Sequence, residues 1–180
     1  MESAKEWVEK YGDFLLSYAA NRVSNIADAE DLVQETLLSA HKNRDGFKGN
    51  SSEKTWLVAI LKNKIIDHYR KNNGRKKELS ASDKIEDNFF DNKGHWAANF
   101  NQYTLDTNHE HQQKEMLKAV MDCKDKLPEN FKAAFTLKYL EEMSATEICK
   151  VLDISPSNYW VLIHRAKLVL RDCIDKNWKI

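Results

Sequence analysis

The sequence predicts an all-α fold: two small helical domains joined by a flexible linker, the C-terminal one a helix-turn-helix. Five Gly and two Pro among 180 residues leave few turn formers, which favours long helices over hairpin-rich sheets. Hydrophobic residues make up 42% of the chain, enough for real cores. Apolar residues recur at helical spacing on both sides of one stretch in which no period persists.

Over residues 5–22, Trp7, Val8, Tyr11, Phe14, Leu15, Tyr18 and Ala19 give one amphipathic helix. A second is expected from Asp28, with Asp28 as N-cap and Asp31 as its capping-box partner, ahead of Ala29, Leu32, Val33, Thr36, Leu37 and Ala40 on one face. A Gly-containing turn over residues 45–52 ends it. The third helix is expected over residues 52–73, with Trp56, Leu57, Ile60, Ile65, Ile66 and Tyr69 inward. These elements make a domain over residues 1–77.

Residues 78–111 read as a linker, rich in Asn, Asp and Ser. Its Phe89, Phe90, Trp96 and Phe100 are too apolar for a freely solvated chain, so it is expected to dock on a domain or a partner. Residues 112–180 form the second domain. A helix through Met116, Leu117, Val120 and Met121 is followed by one with Pro128 in its first turn. Ser144 and Glu147 form a Ser-x-x-Glu capping box that starts a short helix, and Ser155-Pro156 supply the N-cap and first turn of a long one to about Lys176.

Formal net charge is zero, but the charges are unevenly spread. Lys62, Lys64, Arg70, Lys71, Arg75, Lys76 and Lys77 form a basic stretch, and Asp83, Glu86, Asp87, Asp91 and Asp106 an acidic one after it. Cys123, Cys149 and Cys173 are odd in number and sit in apolar helical patterns, so they read as small buried hydrophobes in a reducing compartment. No apolar signal core opens the chain and no apolar run has membrane-spanning length, which reads as a cytoplasmic protein.

Three constellations are candidates for function. Residues 144–176 have the size of a helix-turn-helix, a short support helix and a longer one able to enter a major groove. Ile148, Val151, Leu152, Ile154, Tyr159, Ile163 and Ala166 would hold the pair together. The same pattern also fits a plain helical hairpin. The helix from Asp28 offers Asp31, Gln34 and Glu35 beside Leu38, an acidic strip suited to a protein partner and unsuited to phosphate, or else a solvated face. Residues 46–77 interleave Phe47, Trp56 and Tyr69 with Lys48, Lys54, Lys62, Lys64, Arg70 and Lys71, the mixture that holds single strands by cations and stacking, although Trp56 and Tyr69 also fit a core.

Asp28-Ala29-Glu30-Asp31-Leu32-Val33-Gln34-Glu35-Thr36, followed by Phe47-Lys48-Gly49, Thr55-Trp56-Leu57, Asn63 and Asp67-His68-Tyr69-Arg70, resembles the second conserved region of the extracytoplasmic-function sigma factors. Leu127-Pro128, Phe131-Lys132-Ala133-Ala134-Phe135, Ser144-Ala145-Thr146-Glu147-Ile148, Ile154-Ser155, His164-Arg165-Ala166 and Leu170-Arg171 resemble their fourth region, in order and spacing. The resemblance implies a non-enzymatic protein that binds RNA polymerase core, recognises promoter DNA and promotes its melting. It implies that Asp31, Gln34, Glu35 and Leu38 dock on a coiled coil of the largest polymerase subunit. Phe47, Lys48, Asn50, Ser51, Trp56, Lys62, Asn63, Lys64, Arg70 and Lys71 would melt and hold the minus-ten element as duplex and single strand. Ser157, Asn158, Trp160, Val161, His164, Arg165 and Lys167 would read the minus-thirty-five element, with the flap of the second-largest subunit as a further partner. It leaves room for an anti-sigma factor, and implies no cofactor, no metal and no small-molecule substrate.

One departure stands out. Many members carry polar or basic residues early in the recognition helix, where this chain has Trp160, Val161 and Leu162. These can touch thymine methyls or sugars but cannot make a bidentate Arg–guanine contact. His164 and Arg165 remain for base or phosphate contact, with helix packing as the other role for His164.

Two other readings compete. A conventional helix-turn-helix regulator accounts for residues 144–176 but not for the acidic helix or the basic-aromatic segment. A metal enzyme would use His95 and His109-Glu110-His111, which lack His-Glu-x-x-His spacing.

Overall fold

The computed structural model describes residues 4–73 and 110–177, so the linker aromatics, the acidic stretch and His95 lie outside the described residues. Seven α-helices and no strand occur among the described residues. In the N-terminal unit they are α1 (Ala4–Ala20), α2 (Ile26–Lys42) and α3 (Glu53–Asn73), with a short 3-10 turn at Arg44–Gly46. The C-terminal unit has α4 (Glu110–Asp125), α5 (Glu129–Tyr139), α6 (Ala145–Leu152) and α7 (Pro156–Asn177).

Helix α2 starts two residues before the expected Asp28. Asn25 is its N-cap, and its side chain accepts a hydrogen bond from the Ala27 N–H at 3.0 Å. Asp28 lies inside the first turn, where a carboxylate favours the positive end of the helix dipole without capping it. The inward face is as expected, with Ala29, Leu32, Val33, Thr36 and Ala40 buried. Thr36 is satisfied there, its hydroxyl donating to the Leu32 carbonyl at 2.7 Å.

In α3 the buried stripe is Leu57, Leu61, Ile65 and Tyr69, a strict four-residue spacing. Trp56, Ile60 and Ile66 flank it half-buried, because a helix turns about 100° per residue and only one line of positions can face α1 and α2 fully. Burial pushes the Tyr69 phenol up to about 12, so it stays neutral and donates to the Arg22 carbonyl.

The capping box of α6 is present in full. Glu147 N–H donates to Ser144 Oγ at 3.3 Å, and Ser144 N–H and Oγ donate to Glu147 Oε2 at 2.9 and 2.7 Å. Those bonds hold the Glu147 carboxyl below the usual carboxylate range. Asp153, in the left-handed region at φ 48, turns the chain out of α6, and the Asn158 N–H donates to Ser155 Oγ at 3.2 Å to open α7.

The expected helix through Met116, Leu117, Val120 and Met121 is present as α4, with Leu117 on its exposed side, since α4 meets the rest of the unit mainly along α7. One expectation fails in the C-terminal unit. The three cysteines are not all free hydrophobes. Cys123 on α4 and Cys173 on α7 form a disulfide with Cα atoms 5.8 Å apart, and Cys149 is the free one. A separation of 50 residues hid the pairing, which depends on α4 and α7 lying side by side.

The units also pack on each other, α3 against α6, and their buried side chains form one continuous cluster.

Candidate protein and nucleic-acid interfaces

The first surface is the outer side of α2. Asp31, Gln34 and Glu35 are exposed, as is Leu38, 59% of whose surface is open, and positions 31, 34, 35 and 38 fall on one strip opposite the buried face. The strip does not stand alone. Glu35 Oε2 lies 3.2 Å from Lys64 Nζ on α3, so the acidic surface touches the basic helix directly.

The second surface is the loop before α3 and the outer side of that helix. Lys48, Asn50 and Ser51 are exposed around Gly49, whose φ of 71 is a conformation that a side chain would strain. Phe47 is half-buried, its ring centroid 5.0 Å from that of Trp56, which meets the buried Trp7 edge-on at 5.9 Å. Trp7 in turn donates from Nε1 to Glu53 Oε2 at 3.0 Å. Trp56 is thus held in an aromatic cluster that anchors the loop, with part of its surface open. Tyr69 belongs to the core.

The basic set of α3 is split by helical geometry. Lys62, Asn63 and Lys64 point in three directions about 100° apart. Asn63 is exposed and shares a side with Arg70, seven residues on, while Lys71 is exposed nearby. Arg70 forms an exposed ion pair with Asp67 at 2.7 Å. Lys64 turns to Glu35, and Lys62 turns to the C-terminal unit, where its ammonium donates to the Glu141 carbonyl at 2.8 Å.

The third surface is the N-terminal half of α7. Tyr159, Leu162, Ile163 and Ala166 are buried, so Leu162, expected beside Trp160 and Val161 for contact with DNA, instead fills the core between α7 and its neighbours. Ser157, Trp160, Val161, His164 and Lys167 are exposed on the other side, with Asn158 and Arg165 half-buried beside them. Trp160 has 63% of its surface open and rests edge-on against the Tyr159 ring at 5.1 Å. Lys167 Nζ lies 5.8 Å from the Tyr139 ring centre.

Sequence reasoning missed one group altogether: Tyr18, Arg22 and Glu141, which meet between the units. From the sequence, Glu142 marks only the expected end of the helix that Pro128 opens, and nothing local separates the buried glutamate from the exposed one. Among the described residues no group of three or more His, Cys, Asp and Glu is placed to hold a metal ion, and no helix is long and apolar enough to cross a membrane.

The chain is similar to known proteins in both units. Residues 7–75 match the family model for Sigma-70 region 2 and residues 117–170 that for Sigma-70 region 4. A probable RNA polymerase sigma factor of Haemophilus influenzae is 37% identical over 164 residues, spanning 90% of this chain and 84% of that one. The ECF RNA polymerase sigma factor SigM of Bacillus subtilis is 32% identical over 143 residues, 79% of this chain and 77% of that one. The chain belongs to the extracytoplasmic-function RNA polymerase sigma factors. The ECF sigma-E factor of Escherichia coli is 31% identical over 140 residues, 78% of this chain and 70% of that one. A sigma factor directs RNA polymerase to promoter DNA, and the region 2 match accounts for the half that a conventional helix-turn-helix regulator leaves unexplained.

Proposed function

We propose that the three surfaces divide the work of initiation. The α2 strip of Asp31, Gln34, Glu35 and Leu38 docks on the coiled coil of the largest polymerase subunit. An acidic strip repels phosphate and suits a protein with complementary charge. Phe47, Lys48, Asn50 and Ser51, with Trp56 behind them, receive an extruded base of the minus-ten element. Asn63, Arg70 and Lys71 hold the strand beside it, joined by Lys62 and Lys64 once these leave their carboxylates. The outer face of α7, from Ser157 and Asn158 through Trp160, Val161, His164, Arg165 and Lys167, reads the minus-thirty-five element, and the same domain meets the flap of the second-largest subunit.

Domain limits of 1–77 and 112–180, with 78–111 between, fit this division. Melting needs no covalent chemistry: lost stacking of about a few kcal/mol is offset by contacts to the extruded base, so the protein is an initiation factor and no enzyme, works in the cytoplasm with its polymerase, and needs no cofactor.

The observation that carries the reading is that the α2 strip lies on the solvent side of a helix whose opposite side is committed to the core. Replacing Asp31, Gln34 and Glu35 together by Ala therefore spares folding. Titration against core polymerase should show affinity lowered more than tenfold, beyond about 1.4 kcal/mol, with thermal unfolding unchanged. Undiminished affinity would remove the docking assignment.

A further inference from the structure

The turn between α5 and α6 is where the two units meet, and a buried carboxylate sits at its centre. Glu141 has no exposed side-chain surface, whereas its neighbour Glu142 is open to solvent. Every side-chain partner of that carboxylate in the described residues comes from the N-terminal unit. Arg22 donates from Nε to Oε1, and Tyr18 donates from its hydroxyl to the same oxygen at 3.1 Å. Lys62 Nζ lies 3.2 Å from Oε2 and also donates to the Glu141 carbonyl.

The surroundings hold these groups in register. The Arg22 guanidinium stacks 3.4 Å from the Tyr18 ring centre and reaches the Leu140 carbonyl at 3.4 Å. Lys124, buried on α4, donates to the Asn21 carbonyl, a second tie between the units. On the other side, Glu142 adopts φ 55, and the Met143 N–H donates to the Leu137 carbonyl at 3.0 Å, so the backbone presents Glu141 at a fixed angle.

We infer that Glu141 is an intramolecular latch, holding the C-terminal unit on α1 and α3 in a closed form of the free protein in which Lys62 faces a carboxylate instead of a phosphate. The inference rests on the division of surfaces proposed above for its consequence. The centres of the minus-ten and minus-thirty-five elements lie about 25 base pairs apart, roughly 85 Å along B-DNA. A compact chain of this length has a radius of gyration of about 16 Å. One closed molecule cannot span both elements, so the latch must open before both are read.

The latch is built to be reversible. A buried ion pair regains in attraction little more than it loses in hydration. Glu141 Oε2 accepts no directed hydrogen bond from a protein group despite its ion pair with Lys62. A carboxylate only partly satisfied holds the closed form by a small margin, which a partner that binds the open form better can overcome.

Small-angle scattering of the full chain, paired with its affinity for a 20-nucleotide oligothymidylate in the absence of polymerase, tests this. The wild type should have the size of a compact chain. Glu141→Gln removes the charge and keeps the shape; it should raise the radius of gyration by about a quarter or more over the compact value and tighten oligonucleotide binding about threefold or more at low salt, as Lys62 is released. Arg22→Gln opens the latch from the other side and decides the matter should Glu141→Gln not fold. An extended wild type, or a folded variant in which either readout fails to move, overturns the latch. Titration of wild type with core polymerase keeps the two proposals apart: core binding without a size change in the variants removes the latch alone, and a size change without core binding removes the docking assignment alone.

Discussion

The two units of this sigma factor are built by different means. In the N-terminal unit three helices of 17, 17 and 21 residues pack around Trp7, Leu15, Leu57, Leu61 and Ile65, without any covalent tie among its described residues. The C-terminal unit includes helices of 11 and 8 residues, too short to be stable alone, and gains a capping box and a disulfide. Their outer faces differ as well. The N-terminal unit shows solvent a polar and charged strip on α2, whereas α7 of the C-terminal unit shows an indole and a valine. Stability from long helices leaves the outer face free to carry charge; stability from local devices leaves the short unit dependent on each of them.

The disulfide is the largest single term in that contrast. Closing a loop of 50 residues in the unfolded chain is worth about 4 kcal/mol in the chain-entropy account. Reduction, or Cys173→Ser, should therefore lower the stability of the C-terminal unit by up to about that amount. Hydrogen exchange on the full chain checks it: amides of α4 and α7 should lose protection while those of α1, α2 and α3 keep theirs. Equal loss in both units would show that they unfold as one and would break the comparison.

The contrast also explains what could be read in advance. Helix existence, order and inward faces follow from local periodicity, and the capping box at Ser144 and Glu147 is a local signal, so these were legible. The N-cap of α2 was misplaced because Asn25 and Asp28 offer equally good local chemistry, and burial of Ile26 does not arbitrate, since that residue is exposed. Pairings across the chain were invisible. Cys123 with Cys173, Glu35 with Lys64, and Glu141 with Arg22 depend on which helices become neighbours. Leu162 looked available for DNA because it stands with Trp160 and Val161 early in the expected recognition helix, yet one further step of 100° turns it into the core.

A smaller effect separates the cations of α3. Lys71 is exposed and Arg70 pairs only with the exposed Asp67 one turn away, at 2.7 Å, a contact worth little in water, whereas Lys62 and Lys64 each lie 3.2 Å from a carboxylate on another element. Neutralising Arg70 and Lys71 with Gln should flatten the salt dependence of oligothymidylate binding by about 1.4 in log–log slope, or about sevenfold in affinity across a fourfold change in salt. Neutralising Lys62 and Lys64 should cost less, because part of their charge is already spent on Glu141 and Glu35. Equal slopes for the two pairs would mean that both ion pairs break on binding at no cost.

The smallest expected effect tests the apolar reading face. Trp160 could serve as packing or as a contact to DNA, and its surroundings separate the two: it is mostly open, and among the described residues its ring meets that of Tyr159 on its own helix. Trp160 is exposed and stands outside the buried cluster, so Trp160→Ala should leave thermal unfolding nearly unchanged. A contact between the indole and a thymine methyl is worth about 0.8 kcal/mol, the burial of one methyl-sized group, which is about a fourfold preference. Selection from a randomised upstream element should therefore lose about fourfold discrimination for thymine at one position in the variant. Arg165→Ala, at a half-buried position beside the face, should weaken all elements by a similar factor, because a cation on phosphate positions the helix without reading sequence. A Trp160 variant that melts lower and selects the same sequence would place the indole in the fold after all, and the C-terminal unit would then present no apolar reader to set against the charged strip of the N-terminal one.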